Sequence, residues 1–231
     1  MSNFLQLAQD LRRECGISGT GPTTVVSQTG ELLRVVNWII ASWKELQNHK
    51  NNWRWMRAPF TVQTVAAVDT YAYGACTDVL TSALISRFKR WYPKEFQIYL
   101  TTSGIGTSHW LTEFPWDSFK RIWKVGNQNN GYPAAVAIDP QNNFRLGAKP
   151  NDIYTVTGDY QRSAQVLAID TDVPEMPADF HQLIVFRGMK KYAAFAGASE
   201  VWASAKDQHA QMMLDLMLDQ LPQPGFGEPL A

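Results

Sequence analysis

Across residues 30–56 apolar side chains return every three or four positions: Leu32, Val35, Val36, Ile39, Ile40, Trp43 and Leu46. At 3.6 residues per turn these line one side of a helix. Arg34, Asn37, Lys44, Glu45 and Asn48 fall mostly opposite. Trp38 falls on that polar side, the one large apolar group the stripe leaves out. The pattern predicts a long amphipathic helix. Thr29 is placed to cap it, Glu31 puts a carboxylate where the helix dipole favours one, and the Asn-rich residues 48–52 stop it.

Ahead of it, Phe4, Leu5, Leu7, Ala8 and Leu11 predict a shorter amphipathic helix, with Gly16 at the left-handed position beyond its end. The connection, residues 16–30, is rich in Gly and Thr but lacks the lysine of a phosphate-binding G-x-x-x-x-G-K-[ST] loop. It reads as a helix–helix linker. From Arg57 the period shortens to two. Phe60, Val62 and Val65 followed by residues 69–73 predict a hairpin; residues 85–91 and 96–102 predict a strand pair turning at Tyr92-Pro93. Residues 111–125 place Trp116, Phe119, Ile122 and Trp123 at helical steps, with Pro115 in the first turn. Three more strands are expected at 134–138, 143–146 and 153–160, parted by turn sequences at 139–142 and 149–152.

Helical spacing resumes at residue 178 through Leu183, Ile184, Phe186, Met189, Tyr192 and Phe195. A turn at 197–199, with Ser199 as cap, leads to a second helix carrying Val201, Ala205, Met212, Leu216 and Leu218. Met212, Met213 and Met217 serve either as core filler or as an adaptable partner surface. Residues 222–231, PQPGFGEPLA, cannot continue a helix and read as an extended tail with Phe226 and Leu230 as anchors, either frayed or ordered on assembly. The fold class is therefore α+β: a helical bundle from residues 1–56 and 173–221, and an inserted antiparallel β unit over 57–172. That unit has six strands and one short helix, sandwich or barrel-like.

Composition adds three constraints. With 231 residues, 45% hydrophobic and 12% aromatic, the chain can build a core without staples. Its nine tryptophans suit either an aromatic core or buried interface centres. Twenty-one basic and 21 acidic residues cancel, which argues against a globally steered nucleic-acid binder and lowers resistance to self-association. Basic residues do cluster locally at Arg87, Lys89, Arg90 and Lys94, then at Lys120, Arg121 and Lys124. The first cluster is either a solvated face or a patch toward DNA or an acidic partner. Cys15 and Cys76 have no C-x-x-C spacing, so neither a disulfide framework nor a zinc site is expected. The first fifteen residues lack a signal peptide's apolar core, and no apolar run reaches membrane-spanning length; a soluble protein in the cytoplasm where it is made is expected.

Motifs for chemistry are missing. His49, His109, His181 and His209 sit in separate segments without metal-ligand spacing, and no G-x-S-x-G elbow occurs. Cys15 ends a helix, where the dipole raises a thiol pKa. Asp170 and Asp172 lie in a proline-bounded loop without further carboxylates at calcium-loop spacing. No catalytic, cofactor-binding or metal-binding residues are assigned, and the weight moves to a structural or interaction protein. A β-rich carbohydrate-binding module with tryptophans as a stacking platform is the competing class.

Three stretches carry a resemblance: FLQLAQDLRRECGISGTGPTTVVSQTGELLRVVNWIIASWKELQ at 4–47, KPNDIYTVTGDYQRSAQVL at 149–167 and VPEMPADFHQLIVFRGMKKYAAFAGA at 173–198. In layout and phrase the chain resembles the head–tail adaptor (connector) proteins of tailed bacteriophages, which include the tail-tube A-type adaptor rings of short-tailed phages. The resemblance implies a virion protein of the neck or tail, made in the host bacterial cytoplasm. It implies a homo-oligomeric, dodecameric ring that joins the portal protein to a tail nozzle or tail tube protein, with DNA passing transiently through the lumen. Neither a cofactor nor a membrane partner is implied. Portal docking would fall to Leu221, Pro222, Phe226 and Leu230, and contacts between subunits to Trp38, Trp43, Trp53, Met212 and Met213. Another ring of the same virion, a stopper, nozzle or baseplate component, has the same sequence character.

Overall fold

The computed structural model describes residues 1–126 and 128–222, and its fold is α+β with no closed barrel. In chain order the elements begin with α1 (Phe4–Glu14) and α2 (Gly30–His49). Then come β1 (Arg57–Gln63), β2 (Thr70–Tyr71), β3 (Thr77–Asp78), β4 (Ala83–Leu84), β5 (Arg90–Leu100), β6 (His109–Trp110) and β7 (Thr112–Glu113). After α3 (Trp116–Trp123) follow β8 (Asn130–Gly131), β9 (Ala135–Ile138), β10 (Phe144–Gly147), β11 (Lys149–Pro150) and β12 (Tyr154–Gln161). Finally α4 (Gln182–Ala196) and α5 (Ser199–Gln220) complete the chain. Two compact units result, one from residues 1–56 with 164 onward, the other from 57–163.

In the first unit, the α2 stripe does what its spacing predicts: Val35, Val36, Ile39, Trp43 and Leu46 are all buried. They meet Leu7 and Leu11 of α1 and Leu183 and Ile184 of α4 in one apolar core. At the start of α1, Asn3 and Gln6 form a reciprocal capping box, and the Phe4 N–H reaches the Asp172 carbonyl at 2.8 Å. At its end Gly16 turns left-handed (φ 64°), so that its N–H meets Arg13 and the N–H of Ile17 meets Arg12, closing the exposed carbonyls. Thr29 holds the cap position of α2, yet its hydroxyl makes no capping bond. Ser199 is the first residue of α5, not its cap. Gly197 and Ala198 both donate to the Ala193 carbonyl, so the chain turns one residue early and Ala198 takes the cap. The aspartates weighed above as ligands clasp loops instead. Asp170 accepts from Thr24 Oγ1 and the Val25 N–H, and Asp172 accepts from the N–H groups of Ala168 and Ile169.

The second unit departs further from its sequence reading. Among the described residues it holds twelve strands rather than six, several only two residues long. They form sheets ordered β4-β3-β1-β12-β5-β6, β2-β10-β9-β7 and β11-β8, and two of the pairings, β7 with β9 and β8 with β11, are parallel. The first hairpin does not form: β1 pairs with β12 and β3, while β2 pairs with β10 in the other large sheet. The Tyr71 hydroxyl accepts from the Val65 N–H and donates to the Val68 carbonyl, winding the intervening residues into a tight loop that carries β2 away. Nor is Tyr92-Pro93 a turn. β5 runs straight through it, and the register jumps from Tyr92 opposite Asp159 to Gln97 opposite Thr157. The extra residues bulge outward, and a bulge is where a residue without an N–H fits in a strand. Gly158 faces this bulge so closely that a Cβ there would lie 2.6 Å from the Phe96 ring and 3.1 Å from the Glu95 carbonyl. Phe60, Trp91, Phe96 and Phe144 pack edge-on or tilted about it as an aromatic core. The helix expected near residues 111–125 is shorter, with Pro115 at the cap position of α3.

Candidate functional site

The five residues expected between subunits divide sharply. Trp43 is buried, its indole N–H donating to Gln165 Oε1 at 3.2 Å. Trp53 is buried too, bonded to the Leu46 carbonyl at 3.1 Å and stacked on Trp55. Met213 lies in the same core. These three are occupied within the subunit: Trp43 and Met213 sit on the inward stripes of α2 and α5, and Trp53 folds back onto the end of α2. Trp38 and Met212 are only half-buried, packed against the core's edge.

Trp38 is the centre of an outward cluster. Its ring meets Tyr192 edge-on and Phe195 at a tilt, both at 5.8 Å, while the Arg34 guanidinium stands 4.5 Å above Phe195. Phe195, which the helical period assigns to the core, is 59% exposed. Along the same ridge of α4, Arg187 and Lys191 both bond Glu45 of α2, at 2.8 and 2.6 Å. Burial pushes the Glu45 carboxyl up, but these two cations outweigh it and hold its pKa below the usual range. Lys190 stands 5.5 Å over the ring of Trp202 on α5. Glu45, Arg187, Lys190, Lys191, Ala194 and Trp202 enclose a cleft of about 280 Å³. Beside it, burial first, then the charges of Lys190, Arg187 and His49, drive His209 down to about 4. Among the described residues its Nε2 finds no hydrogen-bond partner. The signal for this ridge is legible afterwards: Arg187, Lys190, Lys191 and Ala194 fall at three- and four-residue steps, one helix face.

The basic run in the second unit is less available than its sequence suggests. Arg87 is tied through two nitrogens to the Ser163 carbonyl, and Arg90 bonds and stacks on Tyr92. Lys89 is half-buried, and burial, then Arg90, lower its pKa. Lys94 is exposed. Of the docking residues, Leu221 packs against the helical core and Pro222 is exposed; Phe226 and Leu230 lie outside the described residues.

The two cysteines and His181 serve the packing of the fold. Both cysteines are buried, and that burial raises each thiol to about 12, with Glu14 adding to the effect at Cys15. Desolvation, not the helix end, dominates at Cys15. His181 accepts the Ser2 N–H at Nδ1 and donates from Nε2 to the Met176 carbonyl, pinning the chain start. Among the described residues no helix is long and apolar enough to cross a membrane.

No curated protein matches the chain. A family model described as SU10 adaptor protein matches residues 2–227, spanning both units.

Proposed function

The chain belongs to the SU10 adaptor protein family and is a phage adaptor-type structural protein, a virion component, and from that premise we propose that it works as a head–tail adaptor ring. Its copies, twelve by analogy with the adaptor rings it resembles, seat beneath the portal vertex, join it to the next tail component, and leave a lumen for DNA. The observation that carries this reading is the extent of the match, which takes in nearly the whole chain rather than one module. The outward aromatic and charged ridge of the helical unit supports it, since exposed aromatic surface on a chain without net charge favours association. Residues 221–230, with Leu221, Pro222, Phe226 and Leu230 as contacts, are assigned to portal docking.

The test is the particle mass of the purified chain with and without the cognate portal ring. A shift to the portal ring plus a full set of copies is expected; a chain that stays solitary in both overturns the reading. A variant lacking residues 222–231 should cosediment with the portal at least about tenfold more weakly while its circular dichroism is unchanged. Unaltered cosedimentation removes the docking role. Capture by a tail ring in place of the portal identifies the chain as a stopper, nozzle or baseplate component instead.

A further inference from the structure

Helix α5 is apolar on two opposite sides. Ala205, Met213 and Leu216 face the unit's core and are buried. Ala203, Ala210, Leu214 and Leu218 recur on the other side at seven- and four-residue steps, which keep them on one helix face. Leu214 is 48% exposed and Leu218 67%. Glu200 and Asp207 lie on this outward side, with Asp215 along its margin. A helix apolar on both sides suits two partners; among the described residues α5 packs chiefly on α4.

The complementary surface is the cleft on α4. Its floor and rim carry Arg187, Lys190 and Lys191 against the single carboxylate of Glu45, which two of those cations already engage. One wall is aromatic, Trp202, 43% exposed, and the Trp38–Phe195 cluster lies beyond the cleft along the same ridge. A basic groove with an aromatic wall takes an amphipathic helix that presents leucines and carboxylates together. The outward side of α5 is such a helix.

We propose, building on the ring reading above, that the occupant of the α4 cleft is the outward face of α5 from a second copy of this chain. Leu214 and Leu218 lie along Trp202 and Phe195 of the neighbour, and Asp207 and Asp215 face its Lys190 and Arg34. The two surfaces differ, so the contact is head-to-tail: in a pair one copy keeps its α4 cleft free and the other its α5 face, and repeated, such a contact closes into a ring or extends as a filament.

A charge-reversal cycle on the full chain tests this, with particle mass read by mass photometry alone and with the cognate portal ring. Asp207→Lys with Asp215→Lys should weaken self-association at least about tenfold, and so should Arg34→Glu with Lys190→Glu. All four together should recover assembly to within about threefold of the natural chain. Arg34, Asp207 and Asp215 are exposed and Lys190 is half-buried over Trp202, so circular dichroism of each variant is compared with the natural protein and should match it. Leu214→Ser with Leu218→Ser serves as the second variant: weakened assembly with an intact fold is expected. If the natural chain assembles and none of the variants changes it, or the fourfold variant fails to recover, the pairing of faces is wrong while the ring stands. If the natural chain stays solitary with portal present, the ring fails and this contact with it.

Discussion

At the scale of single residues, the surroundings of a side chain decide its role more than its type does. Nine tryptophans are present, and their place in the fold sorts them. Trp43 and Trp53 close the core, whereas Trp38, displaced from the same stripe, becomes an outward platform. His209 shows the same dependence. It is half-buried among Lys190 and Arg187 of α4 and His49 of α2, and stays neutral down to about pH 4. The unfolded chain takes up that proton near 6.5, so between those two values the unfolded state binds more protons. The stabilisation from this residue is complete above pH 6.5 and lost as pH falls toward 4. His49, also lowered by burial and by Lys50 and Arg187, acts with the same sign. His209→Gln should therefore flatten, without abolishing, the fall in urea midpoint between pH 6.5 and 4. A slope equal to that of the natural chain refutes this account.

Elements show where local propensity holds and where pairing overrides it. The first two helices were legible because their apolar period, polar faces and stop residues all agree, as Leu7, Leu11, Val35 and Ile39 illustrate. Strands were less so: the alternation near Phe60 and Phe96 identifies extended chain, but says nothing about which partner it meets. Tyr92-Pro93 reads as a turn in isolation and sits instead in a bulge of β5 opposite Gly158. The bulge makes a prediction of its own. Gly158→Ala forces a methyl into Phe96, Phe60 and the Glu95 carbonyl, and should cost about 1–3 kcal/mol in chemical denaturation. At the end of α1, Gly16→Ala meets no neighbour but must hold a left-handed backbone, and should cost about 1 kcal/mol. A loss at Gly16 as large as that at Gly158 would contradict the distinction between conformational cost and steric cost.

For the whole molecule, the chain without net charge, its unspent apolar ridge and its family membership agree on a protein made to sit among other virion components. The sharpest reading at this scale compares two half-buried tryptophans. Trp38→Ala should weaken assembly at least about tenfold with a modest loss of stability, since truncating an aromatic anchor at an interface centre is costly. Trp55→Ala, which removes a ring stacked on buried Trp53, should lower the thermal midpoint and leave assembly of the folded fraction unchanged. Sedimentation velocity and thermal melts on both variants separate the two roles; equal effects on assembly remove Trp38 from the interface.

By itself the sequence determined the helical stripes, their stops at Gly16 and near Asn48 and the extended character of the middle of the chain, because each depends on neighbours within a few residues. Tertiary structure alone decided that β1 joins β12, that Phe195 turns out beside Trp38, and that Arg187, Lys190 and Lys191 line one cleft with Trp202. Strand partners and surface neighbourhoods are set by contacts between residues far apart in the chain, and the local period of hydrophobicity carries no record of them.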